Sequence, residues 1–118
     1  MSRVFRNYLV DILERAERVL ENTKNIQDIN ELENDEWTQD AVVRNLEIMG
    51  EAAKKLPDEL CSKYDQIPWK EMKGLRDRLA HQYFEISIRI IWDIIQNELP
   101  AIVENIGNII NDLDMSNE

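Results

Sequence analysis

The sequence predicts an all-α protein, an antiparallel bundle of four to five helices. Apolar residues recur with the 3.6-residue period of a helix over several long segments. The chain has only 3 Gly and 3 Pro, too few for the turns of a many-stranded β fold. Its 118 residues, 43% of them hydrophobic, suffice for one core. We expect a single domain over residues 1–113 and a frayed acidic tail over 114–118.

The first half of the chain predicts two long helices. The first runs from about Arg3 to Thr23, where the apolar period is closest to ideal. The acidic stretch from Asn25 to Asp40 predicts a loop or a short helical turn. The second helix runs from about Asp35 to Leu56, and Pro57 ends it because a residue that precedes proline avoids the helical region. Mid-helix Gly50 indicates a place where another helix approaches closely.

The second half predicts three further helices. Pro68 suits the first position of a helix that extends to about Ala80. Residues Gln82 to Glu85 predict a break, and a fourth helix covers about Ile86 to Glu98. Pro100 predicts a kink or a new start, and the last helix runs from Ala101 to Leu113. The apolar face of this last helix is wide, which indicates either a helix-mediated dimer or a buried central helix.

The formal net charge of −10 excludes a broad basic surface that wraps nucleic acid. The acidic residues are concentrated in residues 25–43 and 90–118, and the rest of the chain is slightly basic. Because charges are screened over ~8 Å at physiological salt, a small phosphate-binding cleft remains compatible with this balance. Ordinary solvated ion pairs on a helix face would give the same pattern.

The cysteine count, the apolar runs and the N-terminal stretch limit the kinds of protein that this sequence can encode. The lone Cys61 cannot form an internal disulfide or a cysteine-based zinc site, and we expect an inert thiol. No run approaches the ~20 apolar residues that span a bilayer, and the N-terminal stretch lacks the apolar core of a signal peptide. A cytoplasmic location is therefore expected.

His81 is the one histidine of the chain and the side chain best suited to proton transfer near neutral pH. Asp77 precedes it by one helical turn and could orient the ring. Arg76 precedes it by five residues and could grip a phosphate. Tyr83 adds a phenolic hydroxyl. These residue types suggest phosphodiester cleavage without metal, although a lone histidine near Arg and Asp is more often a helix cap or a surface ion-pair member.

The segment around these residues resembles the HEPN superfamily, and within it the HepT-type toxins of two-gene toxin–antitoxin pairs. The superfamily pattern is Arg, a polar residue and then His within four to six residues, which Arg76, Asp77 and His81 match, and Tyr83 matches the HepT-like tyrosine. An Ile-Pro-Trp lead-in at residues 67–69 and the block RNLEIMGEAAKKLP from Arg44 are also similar to the family. The residue after Arg is often Asn in relatives, whereas this chain has Asp77.

The resemblance implies a helical bundle that dimerises with its Arg–His motifs facing one cleft. It implies metal-independent RNA cleavage, with Arg76 and His81 central and Asp77 supporting, and no cofactor. It also implies a cognate minimal nucleotidyltransferase as antitoxin, which silences the toxin by transferring AMP to Tyr83.

Three further residues, Arg44, Glu51 and Arg78, are candidates to line the cleft. On the predicted second helix, Arg44 and Glu51 could instead belong to an exposed ladder of weak ion pairs with Glu47 and Lys54. No further ligand joins Glu47 and Glu51, so we expect no metal site. The three tryptophans, Trp37, Trp69 and Trp92, could stack on bases. Trp69 and Trp92 lie on apolar stripes and are predicted core residues, whereas Trp37 in the acidic connection is undecided.

The sequence leaves two other functions open. One is a non-catalytic binding subunit of a nucleotidyltransferase complex, and the other is a purely structural helical dimer. Cleavage of RNA would distinguish the ribonuclease from both.

Overall fold

A computed structural model describes residues 3–80 and 88–116, and these form helices without any strand. The longest are α1 (Arg3–Thr23), α3 (Glu36–Lys54) and α8 (Leu99–Ser116). Five shorter helices lie between them: α2 (Ile29–Glu33), α4 (Asp58–Lys63), α5 (Trp69–Lys73), α6 (Leu75–Ala80) and α7 (Ile88–Asp93). A π-helical turn, Ile94–Glu98, joins α7 to α8. The all-α prediction is confirmed.

Helix α3 is the centre of the packing. It contacts α1 on one side and α5 and α6 on another, while α1 also packs against α8. The apolar positions at helical spacing over the second predicted helix are buried, and the last of them lies just past the end of α3: Val42, Leu46, Met49, Ala53 and Leu56. Asp35 accepts a hydrogen bond from the Thr38 N–H and so caps the start of α3. Every element that borders the candidate site is therefore held against one central helix.

Several predicted boundaries are wrong for identifiable reasons. A single helix over 68–80 is replaced by α5 and α6, which a turn at Gly74 separates. Helix α4 is not predicted by the sequence, because six residues are too short to display a helical period. Its first turn carries Asp58 and Glu59, which the positive end of the helix dipole favours. The predicted break over 82–85 and the start of the predicted fourth helix lie outside the described residues.

Helix α8 begins at Leu99, so Pro100 lies in its first turn, close to the predicted new start. The Leu99 N–H donates to the carbonyl of Ile94, five residues earlier, in the π pattern. This wider turn precedes the proline, which lacks an N–H and would crowd an ordinary α-helical turn. The helix then continues to Ser116, three residues beyond the predicted end at Leu113.

The wide apolar face of α8 is used within the chain itself. Ile110 is buried in the core, and Val103 packs against its edge. Trp69 is buried and Trp92 packs against the core, as predicted, whereas Trp37 is 89% exposed. Within the described ranges, no helix has both the length and the apolar character needed to cross a bilayer.

Candidate active site

Close packing at Gly50 brings the two helices of the candidate site together. Gly50 is buried where α3 passes α5 and α6. A β-carbon built at this position would lie 3.0 Å from the carbonyl oxygen of Met72 and 3.4 Å from the β-carbon of Leu75. The predicted close approach at Gly50 is therefore present. It places the next residue, Glu51, beside the start of α6.

A surface groove lies between these helices. Its volume is about 370 Å³, and its lining consists of Arg44, Glu47, Ile48, Glu51 and Arg76. The first four residues share one face of α3, because positions three and four apart are neighbours on a helix. Arg76 comes from α6. The groove therefore combines two guanidinium groups and two carboxylates over a partly apolar floor.

Arg76 lies close to Glu51 without a hydrogen bond between them. Its Nη1 atom is 3.7 Å from Oε1 of Glu51, and its side chain is 62% exposed. An N–H···O hydrogen bond has a donor–acceptor distance of ~2.7–3.2 Å, so this contact is an ion pair without that bond. None of the hydrogen bonds formed within residues 3–80 and 88–116 has Arg76 as its side-chain donor. No residue in the described part of the chain therefore occupies the guanidinium N–H groups.

The Oε1 atom of Glu51 occupies an unusual environment. It is buried, and no described residue donates a hydrogen bond to it. The Nζ atom of Lys54 lies 3.5 Å away, so two cations share this oxygen at ion-pair distance. The predicted Glu51–Lys54 contact of the ion-pair ladder is thus present. Sequence periodicity could not show that Arg76, from another helix, joins it.

Arg78 lies elsewhere than the sequence prediction placed it. Its guanidinium donates two hydrogen bonds to the carboxylate of Glu98, at 3.2 and 3.0 Å. The hydrogen bond to Glu98 raises the pKa of Arg78 above its ordinary value. Arg78 does not line the groove and instead ties α6 to the π-helical turn. Sequence periodicity does not indicate Glu98 as its partner, since 20 residues separate the two.

The remaining predicted residues divide into two groups. Asp77 is exposed on α6, about 100° around the helix axis from Arg76. His81 and Tyr83 lie outside the described residues, so their geometry is not given. Within the described ranges, no group of three His, Cys, Asp or Glu side chains is arranged to hold a metal ion.

The helical bundle and the groove that ends at Arg76 define an all-α protein of the HEPN class. The chain belongs to the ribonuclease HepT-like family, whose profile matches residues 12–109. The resemblance seen in the sequence is thereby confirmed.

Named relatives cover nearly the whole chain. "Putative RNase MJ0127" of Methanocaldococcus jannaschii is 44% identical over 113 residues, which are 96% of this chain and 93% of the relative. "Putative RNase TTE0752" of Caldanaerobacter subterraneus is 41% identical over 105 residues, 89% of this chain and 93% of the relative. "Probable ribonuclease HepT" of Thermococcus cleftensis is 38% identical over 102 residues, 86% and 92% of the two chains. No solved structure gives a significant match.

Proposed function

We propose that this protein is a metal-independent endoribonuclease, the toxin of a toxin–antitoxin pair that acts in the cytoplasm. The observation that carries the proposal is the exposed Arg76, at the edge of a groove and with uncommitted N–H groups, five residues before His81. The family and the names of the relatives support the same class of activity.

The chemistry assigns a role to each motif residue. His81 removes the proton from an RNA 2′-hydroxyl, and the 2′-oxygen then attacks the adjacent phosphorus. The bond from phosphorus to the 5′-oxygen breaks, and that oxygen takes up a proton. Arg76 stabilises the negative charge that builds up on the phosphoryl oxygens. Asp77 supports His81 by favouring its protonated form.

One histidine cannot readily perform both proton transfers at once. A homodimer would supply two His81 side chains to one cleft, as the family resemblance implies. Sedimentation analysis tests this part of the proposal. A dimer is expected at the concentrations at which RNA is cleaved, and a strict monomer that cleaves RNA would contradict it.

The activity is tested with structured RNA in the presence of EDTA. Cleavage by the wild type is expected, and Arg76→Ala and His81→Ala should each lower its rate by at least ~100-fold, the range found when a proton donor or a charge-stabilising group is removed. Arg18→Ala, which removes an exposed cation on α1, is the matched control and should cleave normally. Full activity of both motif variants would overturn the assignment, and an inactive wild type would favour the non-catalytic partner subunit.

The proposed antitoxin is a minimal nucleotidyltransferase that adenylylates Tyr83. An adenylyl group adds bulk and negative charge, which would repel RNA from the cleft. Incubation with the nucleotidyltransferase and ATP should add AMP to the wild type and to Tyr8→Phe but not to Tyr83→Phe, as mass spectrometry would show. Labelling of Tyr83→Phe would contradict this role.

A further inference from the structure

Glu51 is the residue that the groove geometry singles out beyond the Arg–His motif. Its side chain is 46% exposed as a whole, yet its Oε1 atom is buried and receives no hydrogen bond from a described residue. A buried polar atom without such a bond is unfavourable. The orientation of Oε1 toward Arg76 and Lys54, rather than toward water, therefore comes at a cost in stability.

We propose that Glu51 is a positioning residue, which holds the Arg76 guanidinium in the groove by charge while leaving its N–H groups free for a substrate phosphate. The proposal rests on the proposed ribonuclease function. A hydrogen-bonded ion pair would occupy the same N–H groups that the phosphate needs. The 3.7 Å separation keeps the attraction and avoids this competition.

Lys54 completes the arrangement. Its Nζ atom lies 3.5 Å from the same Oε1 atom. When Arg76 turns toward a phosphate, Lys54 remains as a counter-charge for the buried oxygen. The carboxylate is therefore not left without a cation when substrate binds, and the shift of Arg76 toward the phosphate is easier.

The packing at Gly50 fixes this geometry. A β-carbon at position 50 would lie 3.0 Å from the Met72 carbonyl oxygen of α5 and 3.9 Å from the Arg76 nitrogen of α6, so α3 packs closely against both helices. Glu51 follows Gly50 directly, so its carboxylate has a defined distance to Arg76. A flexible surface ion pair would not have this support.

The test compares Glu51→Gln, which keeps the shape and removes the charge, with Glu104→Gln, which removes an exposed carboxylate from α8. In Glu51→Gln we expect kcat to fall by ~10- to 100-fold, the effect of misplacing a catalytic group, with KM changed less than ~3-fold. Glu51→Asp, which keeps the charge, should recover part of kcat. Glu104→Gln should match the wild type.

A second arm separates positioning from a structural role. In an Arg76→Lys background, Glu51→Gln should lower kcat by less than ~3-fold, because the two residues act as one unit. The thermal midpoint of Glu51→Gln should stay close to that of the wild type, since the ion pairs that it removes are partly exposed and contribute little to stability. Equal or higher kcat in Glu51→Gln would overturn the proposal, as would additive effects with Arg76→Lys.

The proposed function and this inference can fail separately. If the wild type does not cleave RNA, the ribonuclease proposal fails, and NMR of the Arg76 Nε–H group then tests Glu51 alone. A more ordered Nε–H group in the wild type than in Glu51→Gln, measured by ¹⁵N relaxation, supports positioning. Equal order of this group in both proteins would refute it.

Discussion

Arg76 and Asp77 are neighbours on α6, and both are exposed. They carry opposite charges at the place where a phosphate is expected to bind. In the proposed ribonuclease, the Asp77 carboxylate supports His81 but also repels the RNA substrate. Within ~8 Å, such a charge is incompletely screened at physiological salt. We therefore expect this residue to tune the affinity for substrate.

Asp77→Asn should lower KM for RNA by a few fold at low salt, because it removes the repulsion from the bound phosphate, and the gain should shrink as salt rises. Steady-state kinetics at two salt concentrations measures it. Asp112→Asn removes an exposed carboxylate from α8 and is the control. A raised KM in Asp77→Asn would show that the carboxylate helps binding.

Gly50→Ala tests the packing of α3 on α6. The added methyl group would lie 3.0 Å from the Met72 carbonyl oxygen, so the helices must separate. Such overpacking costs ~1–3 kcal/mol, which exceeds the ~1 kcal/mol that Ala contributes over Gly in a helix. Urea denaturation should therefore show a net loss of stability. At Gly107, on α8, a β-carbon meets nothing within 4 Å, so Gly107→Ala should stabilise the protein; a stabilised Gly50→Ala would contradict the close approach.

At the scale of elements, Arg78 and Glu98 join α6 to the turn that precedes α8. Both side chains are partly buried, at 30% and 23% exposure, and the contact is bidentate. The two residues lie on either side of the 81–87 segment that carries His81 and Tyr83. The pair therefore ties together the described parts of the chain that precede and follow this segment.

Glu98→Gln should reduce the free energy of unfolding by about 1 kcal/mol, because solvent screening limits even a bidentate pair at this exposure. Chemical denaturation of Glu98→Gln, Arg78→Gln and the double variant measures the coupling. If the two single effects simply add, the pair contributes nothing.

The stability that the Asp35 cap contributes at the start of α3 depends on pH. Hydrogen bonds from the Thr38 hydroxyl and N–H lower the pKa of Asp35 below its ordinary value of 3.8. A lowered folded-state pKa contributes stability that is fully present above the ordinary value and is lost as pH falls through the folded value. Asn also caps helices well, so Asp35→Asn keeps the cap without the titration. The stability of the wild type relative to this variant should decline below about pH 4, and a difference independent of pH would contradict this account.

The sequence predicts the longest elements best. The bounds of α1 match its apolar period, and the N-terminal cap of α3 is close to the predicted start. The π-helical turn before Pro100 depends on where the helix packs, which local propensity does not reveal. In the site, spacing predicts that Glu51 and Lys54 are neighbours, but the Glu51–Arg76 pair joins residues 25 positions apart. Such pairs become visible only when the helices are placed in space.

At the scale of the whole molecule, Arg6 on α1 binds Asp114 on α8 through two hydrogen bonds, at 2.7 and 2.9 Å. These hydrogen bonds raise the pKa of Arg6 and lower that of Asp114. The contact links the first and last helices of the described chain. It also explains why the helix extends past Leu113.

Asp114→Asn should speed amide hydrogen exchange in the last turn of α8, because the turn loses its charged link to α1. Exchange in the middle of α8, around Ile106, should remain unchanged. High salt should raise the exchange rate of this turn in the wild type toward that of the variant, since the ion pair is exposed. Unaltered exchange near residue 114 would show that the helix end is held by packing alone.

The exposure of Trp37 gives the molecule an intrinsic optical label. Trp69 is buried and Trp92 packs against the core, so acrylamide should quench mainly the fluorescence of Trp37. A macromolecule that covers the start of α3 would shift this emission to the blue and protect it from quencher. Titration with RNA or with the nucleotidyltransferase would then report which of them reaches this end of the bundle, without any attached dye.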